Sequence, residues 1–235
     1  MSNWPSEVYS KTITMVKDGV TYTHKKATML DKDFVLSCWD EAKPIANRAN
    51  QMTESQYYDL IIQSSLAWPA PGKVPIPFDG HSAVVLRADG IPVGTHHARV
   101  RRLEGESNGD ILVDKSYTHI HPDHRRKGYF KILTAMCDHS AFAVYNISKS
   151  SFAVLDSSIA AKKVHTALGA EYQSSEQTKE FGEIHRLDAL KSTWESRESD
   201  GLTYSVSSEY IPITDSRWAT PAVTLKTGSR KWNDI

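Results

Sequence analysis

The stretch His119-Ile120-His121-Pro122-Asp123-His124-Arg125-Arg126-Lys127-Gly128-Tyr129-Phe130 has the residue types and spacing of an anion-binding junction. The residues before Pro122 alternate as a strand does. From Tyr129 to Phe142 the positions Phe130, Leu133, Cys137 and Ala141 recur at helical spacing. Between strand and helix stand Arg125, Arg126 and Lys127. The first turn of a helix leaves backbone N–H groups unpaired and carries partial positive charge, so an anion there meets both donors and a favourable field. Gly128 lets a backbone or a ligand come close. The stretch reads as a phosphate cradle.

The histidines suggest a second chemistry. His119 and His121 lie two apart on a predicted strand and share a face, and His96 and His97 lie on the strand predicted beside it. Imidazoles brought together in this way accept a divalent metal. The competing reading is that one member of an adjacent pair must face away and that these are ordinary strand residues, so no metal ligand is assigned. Arg99, Arg101 and Arg102 form either a solvated strand end or a surface that recognises an acidic or nucleotide-bearing acceptor. Tyr57, Tyr58 and Trp68 could stack on a base, although their spacing favours core packing.

These groups need a scaffold, and the pattern supplies one. A first strand is expected from Thr21 to Leu30, then a helix with Phe34, Val35, Cys38 and Trp39 capped by Asp31 or Asp33. Thr53-Glu54-Ser55-Gln56 has capping-box spacing and opens a second helix through Tyr57, Leu60 and Ile61. Pro69, Pro71, Pro75 and Pro77 make Trp68 to Gly80 a loop. Ala83 to Leu86 and Ile91 to Val100 form a hairpin about Asp89-Gly90, and Ile111 to His121 adds a third antiparallel strand. After the basic turn and its helix come a strand Phe152 to Leu155, a helix Ser158 to Leu168, a strand Glu171 to Gln177 and its partner Ile184 to Leu190. The order predicts an α/β fold with a mixed, mostly antiparallel sheet flanked by helices. Residues 1–192 are expected to form the domain and 193–235 a C-terminal extension packed on it.

A chain of 235 residues can bury a substantial core. With 28 Lys plus Arg against 28 Asp plus Glu it is formally neutral, so net charge argues for neither a nucleic-acid nor an anionic-membrane partner. Cys38 and Cys137 fall in apolar helical patterns, which suits reduced core residues in a cytoplasmic compartment. Met1 to Ser10 has no secretory pattern, and no apolar run approaches the ~20 residues of a membrane span.

Arg125 and Gly128 within this order of elements resemble the GCN5-related N-acetyltransferase superfamily, whose signature is Arg or Gln, two residues, Gly, one residue, then Gly or Ala. Phe130 departs from the small final residue. The later run Ser158-Ile159-Ala160-Ala161-Lys162-Lys163-Val164-His165-Thr166-Ala167-Leu168-Gly169-Ala170 is similar to the family's late helix and its exit. There Ser158 stands where Asn is common and His165 where Tyr is common. The resemblance spans residues 21–190.

This resemblance implies acetyl-coenzyme A (acetyl-CoA), or another acyl-CoA, as co-substrate. It implies that the pyrophosphate lies on Arg125, Arg126, Lys127, Gly128, Tyr129 and Phe130, and that the pantetheine arm runs beside Ile120 and His121 with Ser158 nearby. It also implies that His165 protonates the leaving thiolate and that Asp114 accepts the proton of the amine. The resulting reading is direct acyl transfer to an amine-bearing acceptor of unspecified size. Two others stand beside it: an enzyme of the same fold, known among phage proteins, that modifies adenine in DNA, with or without a metal, and a non-catalytic binding protein that keeps the fold. Nucleic acid and a second copy of the chain remain open as partners; a membrane does not.

Overall fold

The computed structural model describes residues 7–39, 55, 58, 62, 80–102, 111–179, 182–197, 202–212 and 215–218, with the backbone alone described for residues 7–9, 39, 80–82, 99–102 and 111–117. The strands are β1 (Glu7–Lys17), β2 (Val20–Lys26), β3 (Gly80–Ala88), β4 (Ile91–Arg102), β5 (Ile111–Ile120), β6 (Lys149–Leu155), β7 (Glu171–Thr178), β8 (Gly182–Leu190) and β9 (Tyr204–Pro212). They form one nine-stranded sheet in the order β7-β8-β6-β5-β4-β3-β2-β1-β9. Every neighbouring pair is antiparallel except β5 and β6. The helices are α1 (Lys32–Trp39), α2 (Tyr129–His139), α3 (Ile159–Ala167) and α4 (Lys191–Glu195). This is the mixed, mostly antiparallel architecture expected.

The first strand corrects the sequence reading. β1 lies ahead of the expected start and turns into β2 through Asp18 and Gly19, both at positive φ. The strand expected from Thr21 to Leu30 covers β2 and then leaves the sheet. Thr28 caps a 3-10 turn, Met29–Asp31, with Asp31 Oδ2 accepting the Thr28 N–H at 2.9 Å. Thr28 is therefore the cap of this 3-10 turn, which runs directly into α1, and Asp31 closes the reciprocal half of the box. The Thr53 capping box and the proline-rich loop lie outside the described residues, although Ser55, Tyr58 and Ile62 are helical. Tyr58 is fully buried and donates its hydroxyl to Thr28 O at 2.6 Å, a core role.

The sheet carries helices on both faces. On one, Val35 and Cys38 of α1 pack with Ala27, Ala83, Val85, Ile211 and Trp218. On the other, Leu133, Met136 and Cys137 of α2 pack with Ile13, Met15, Leu86 and Val93. A third group, Phe142, Phe152, Val154 and Leu187, lies toward the β6–β8 end. Cys38 and Cys137 are both buried and free, in separate clusters. α2 ends at His139 and passes into a π-helical turn, Ser140–Val144, short of the helix expected through Phe142. His139 stacks on Tyr204 at 4.1 Å between ring centroids, which ties the C-terminal segment to this turn. β9 then pairs along β1 from Glu7↔Pro212 to Met15↔Tyr204, so residues 204–212 extend the sheet itself.

The α2 side of the sheet is unusually polar. Tyr22, His24 and Lys26 alternate inward on β2, and Lys11 is buried on β1. The Lys11 amine sits 3.2 Å from the centre of the Tyr145 ring and donates to Ser140 Oγ. Burial pulls its pKa well below the ordinary lysine value of 10.5, aided by Lys26, and burial takes Lys26 to about 7. Each amine holds its proton more weakly folded than unfolded, so the unfolded chain binds more protons below pH 10.5, for Lys26 down to about pH 7, and stability rises with pH across that window. Lys11→Met should therefore be more stable than the parent at pH 7. Its advantage should shrink by up to roughly 1.4 kcal/mol per pH unit as pH rises, read by urea unfolding between about pH 7 and 9.

Candidate functional site

β5 and β6 pair in parallel only from Leu112↔Lys149 to Lys115↔Phe152. Beyond that point each follows its outer neighbour. β5 stays on β4 through His119↔Thr95 and Ile120↔Gly94, and β6 stays on β8 through Leu155↔Ile184. The register shift between Thr95 and His97 leaves an extra residue on β5, and a bulge of this kind bends the strand that carries it. The result is a wedge within the sheet. Its β5 edge, Lys115 to Ile120, spans about 17 Å at the usual rise per residue.

The basic turn stands at the open end of this wedge. His121 donates its N–H to Val93 O at 3.0 Å, its Nδ1 accepts the Asp123 N–H at 3.4 Å, and its ring stacks on Phe34 at 5.8 Å. The 3-10 turn Pro122–His124 follows. Arg125 Nε donates to Ile120 O at 3.1 Å, so this guanidinium braces the turn against the strand end. Arg126 takes φ +64° and Gly128 φ +80°, the left-handed excursions that let successive N–H groups point outward. Gly128 caps α2 without a side-chain hydrogen bond, and Arg126, Lys127 and Gly128 are exposed. Across the mouth, Ser158 begins α3, also without a side-chain cap bond, its N–H donating to Leu155 O at 2.9 Å. Two helix N-termini thus flank one opening.

His165 lies at the other end. It is 5 % exposed, and its ring stacks on Phe152 at 4.0 Å, the last β6 residue paired with β5. Phe130 meets the same imidazole edge-on at 5.5 Å. The bulky residue at the end of the basic motif is thus used to pack α2 against α3. Asp114 pairs through its backbone with Arg99 and Ser151, one residue before the apex, while its side chain lies outside the described residues. So do those of Arg99, Arg101 and Arg102, and Trp68 lies outside them altogether. Ile120 is buried in the α2 cluster, leaving its backbone at the strand end.

The alternative in which imidazoles from among His96, His97, His119 and His121 converge is not what the structure shows. His121 sits in the turn against Phe34, His119 is opposite Thr95, and His97 is opposite Ser116. His96 instead meets His24 and Cys137, from β2 and α2. Adjacent residues on a strand project to opposite faces, so His96 and His97 part. The sequence reading missed Gly94. A Cβ there would stand 2.6 Å from Ile120 Cδ1 and 2.9 Å from His119 O, so glycine permits the close β4–β5 approach beside the bulge.

No family model matches the chain, and no curated protein matches it. Solved structures do. Spermidine N-acetyltransferase from Vibrio cholerae in complex with CoA and spermine is similar at 12% identity and a TM-score of 0.58, over 74% of this chain and 98% of that one. Spermidine/spermine N-acetyltransferase SpeG from Vibrio cholerae in complex with manganese ions is similar at 14% identity and 0.53, over 76% and 97%. A point mutant of SpeG from the same organism gives 13% and 0.53, over 80% and 98%. At such identities the likeness is one of fold. The chain has the fold of the N-acetyltransferases that its two motifs resemble.

Two glycine variants test the local geometry. Gly128→Ala meets no atom within 4 Å but must keep φ +80°, so it should cost about 1–2 kcal/mol of unfolding free energy. Gly94→Ala should cost more, because both its nearest neighbours lie under 3.0 Å and one is backbone. Chemical denaturation that ranks them the other way would contradict this account of the β4–β5 contact.

Proposed function

We propose that the chain is an acyl-CoA-dependent N-acyltransferase that acts on an amine-bearing acceptor. The observation that carries this reading is the wedge. The β5–β6 ladder stops at Lys115↔Phe152, a basic turn with two helix N-termini lies at the open end, and a buried imidazole lies at the apex. A ligand that suits it has a polyanionic head and an extended arm bearing a reactive group at its far end. Acetyl-CoA has that form. Arg126, Lys127 and the N–H groups of Gly128, Tyr129 and Phe130 hold the pyrophosphate, with Arg125 bracing the turn and Ser158 facing it. The arm runs along the unpaired edge of β5 past His121 and Ile120, where strand N–H and C=O groups would otherwise have no ladder.

The chemistry then follows. A neutral amine attacks the thioester carbonyl, the C–N bond forms and the C–S bond breaks. His165 gives the thiolate its proton, while Asp114 takes the proton of the amine, directly or through water. Phe130 and Phe152 fix the imidazole plane and keep water from it. The neighbour in complex with CoA and spermine makes spermidine and spermine the first acceptors to try, with other primary amines beside them.

Calorimetric titration with acetyl-CoA should give one saturable site; absence of binding at millimolar ligand would reject the reading. Where thiol release accompanies acyl transfer, His165→Ala should lower kcat by roughly 10²-fold and shift acetyl-CoA affinity little. Unchanged turnover would remove His165 from the chemistry.

A further inference from the structure

We propose that His24, His96 and Cys137 form a buried zinc site that ties α2 to the sheet, independent of the acyl-transfer reading. The three come from β2, β4 and α2, and their relative exposures are 2%, 3% and 5%. One potential ligand atom from each lies within 4.8 Å of the others. Cys137 Sγ is 3.4 Å from His24 Nε2 and 2.9 Å from His96 Nδ1, with His96 Nε2 at 3.3 Å. The two imidazoles stack at 5.3 Å.

Two features favour an ion over a hydrogen-bonded trio. Sulfur is a weak hydrogen-bond partner in either direction, so the trio gains little as a buried network, whereas the same three donors are ordinary zinc ligands. In addition, Zn–S near 2.3 Å and Zn–N near 2.0–2.1 Å at a tetrahedral angle give a sulfur–nitrogen edge of about 3.6 Å, against 3.4 Å to His24 Nε2 and 3.3 Å to His96 Nε2. Small side-chain adjustments open the centre. Two imidazoles and a thiolate form a borderline-soft donor set suited to zinc, with one position left for water. Binding breaks the Cys137 S–H bond, forms a Zn–S bond and releases one proton to solvent; neither metal nor sulfur changes oxidation state.

The full chain, stripped with chelator, would be titrated with Co2+ both folded and during refolding. One equivalent should saturate an absorption with thiolate-to-cobalt charge-transfer character, and Zn2+ should bleach it. Cys38→Ala should keep the band. Cys137→Ser should lose it, and His24→Gln should weaken Co2+ binding at least tenfold. Zn2+ should raise the thermal midpoint of the parent but not of His24→Gln. Failure of the parent chain to develop the band under either protocol overturns the proposal without recourse to any variant. A band that survives Cys137→Ser or vanishes in Cys38→Ala also overturns it.

Discussion

The parting of β5 from β6 is the constraint on which the site depends. Parallel strands joined by a helix normally pair along their length, because an unpaired edge leaves backbone N–H and C=O groups without partners. Here four residues of each strand pair, and the outer neighbours β4 and β8 then hold the two strands apart. The bulge on β5 and the close β4–β5 approach allowed by Gly94 supply the bend. An open edge within a sheet can be completed by an extended ligand as readily as by a strand.

Because β5 runs directly into the basic turn and α2, and β6 into α3, the parting also orients both helices. Their N-termini come to the mouth of the wedge. Their facing sides meet through Phe130, His165 and Phe152. One packing contact therefore sets the angle of the helices, seats an imidazole at the apex and accounts for a phenylalanine where the motif ordinarily has a small residue. At its C-terminal end α2 is held through the π-helical turn, with His139 on Tyr204 and Phe142 beside Trp194.

The interior beneath α2 is a mixture of apolar packing and amine or imidazole groups. Lys11, His24, Lys26 and His96 occupy buried positions on β1, β2 and β4. That mixture explains what was hard to read in the chain. The Asp89-Gly90 hairpin was legible because apolar runs flank it, whereas the equivalent Asp18-Gly19 turn lies between strands whose inward positions include Lys11, His24 and Lys26, which blur the alternation a half-buried strand ordinarily has. Thr28 was overlooked as a cap for a related reason, since the expected strand ran through it.

Local order was written in the chain itself: the succession of strands and helices from Ser82 to Leu190, the basic turn with Gly128, and the glycine exit of α3 follow from short-range periodicity and from backbone angles that few residues adopt. Short-range signals carry no information on which distant segments meet. That His96 finds His24 and Cys137 rather than His119 and His121, that Phe130 closes on His165, and that residues 204–212 return to pair with β1 were decided by strand order and register. A one-residue change of register reverses every side chain on a strand, and the bulge on β5 is such a change.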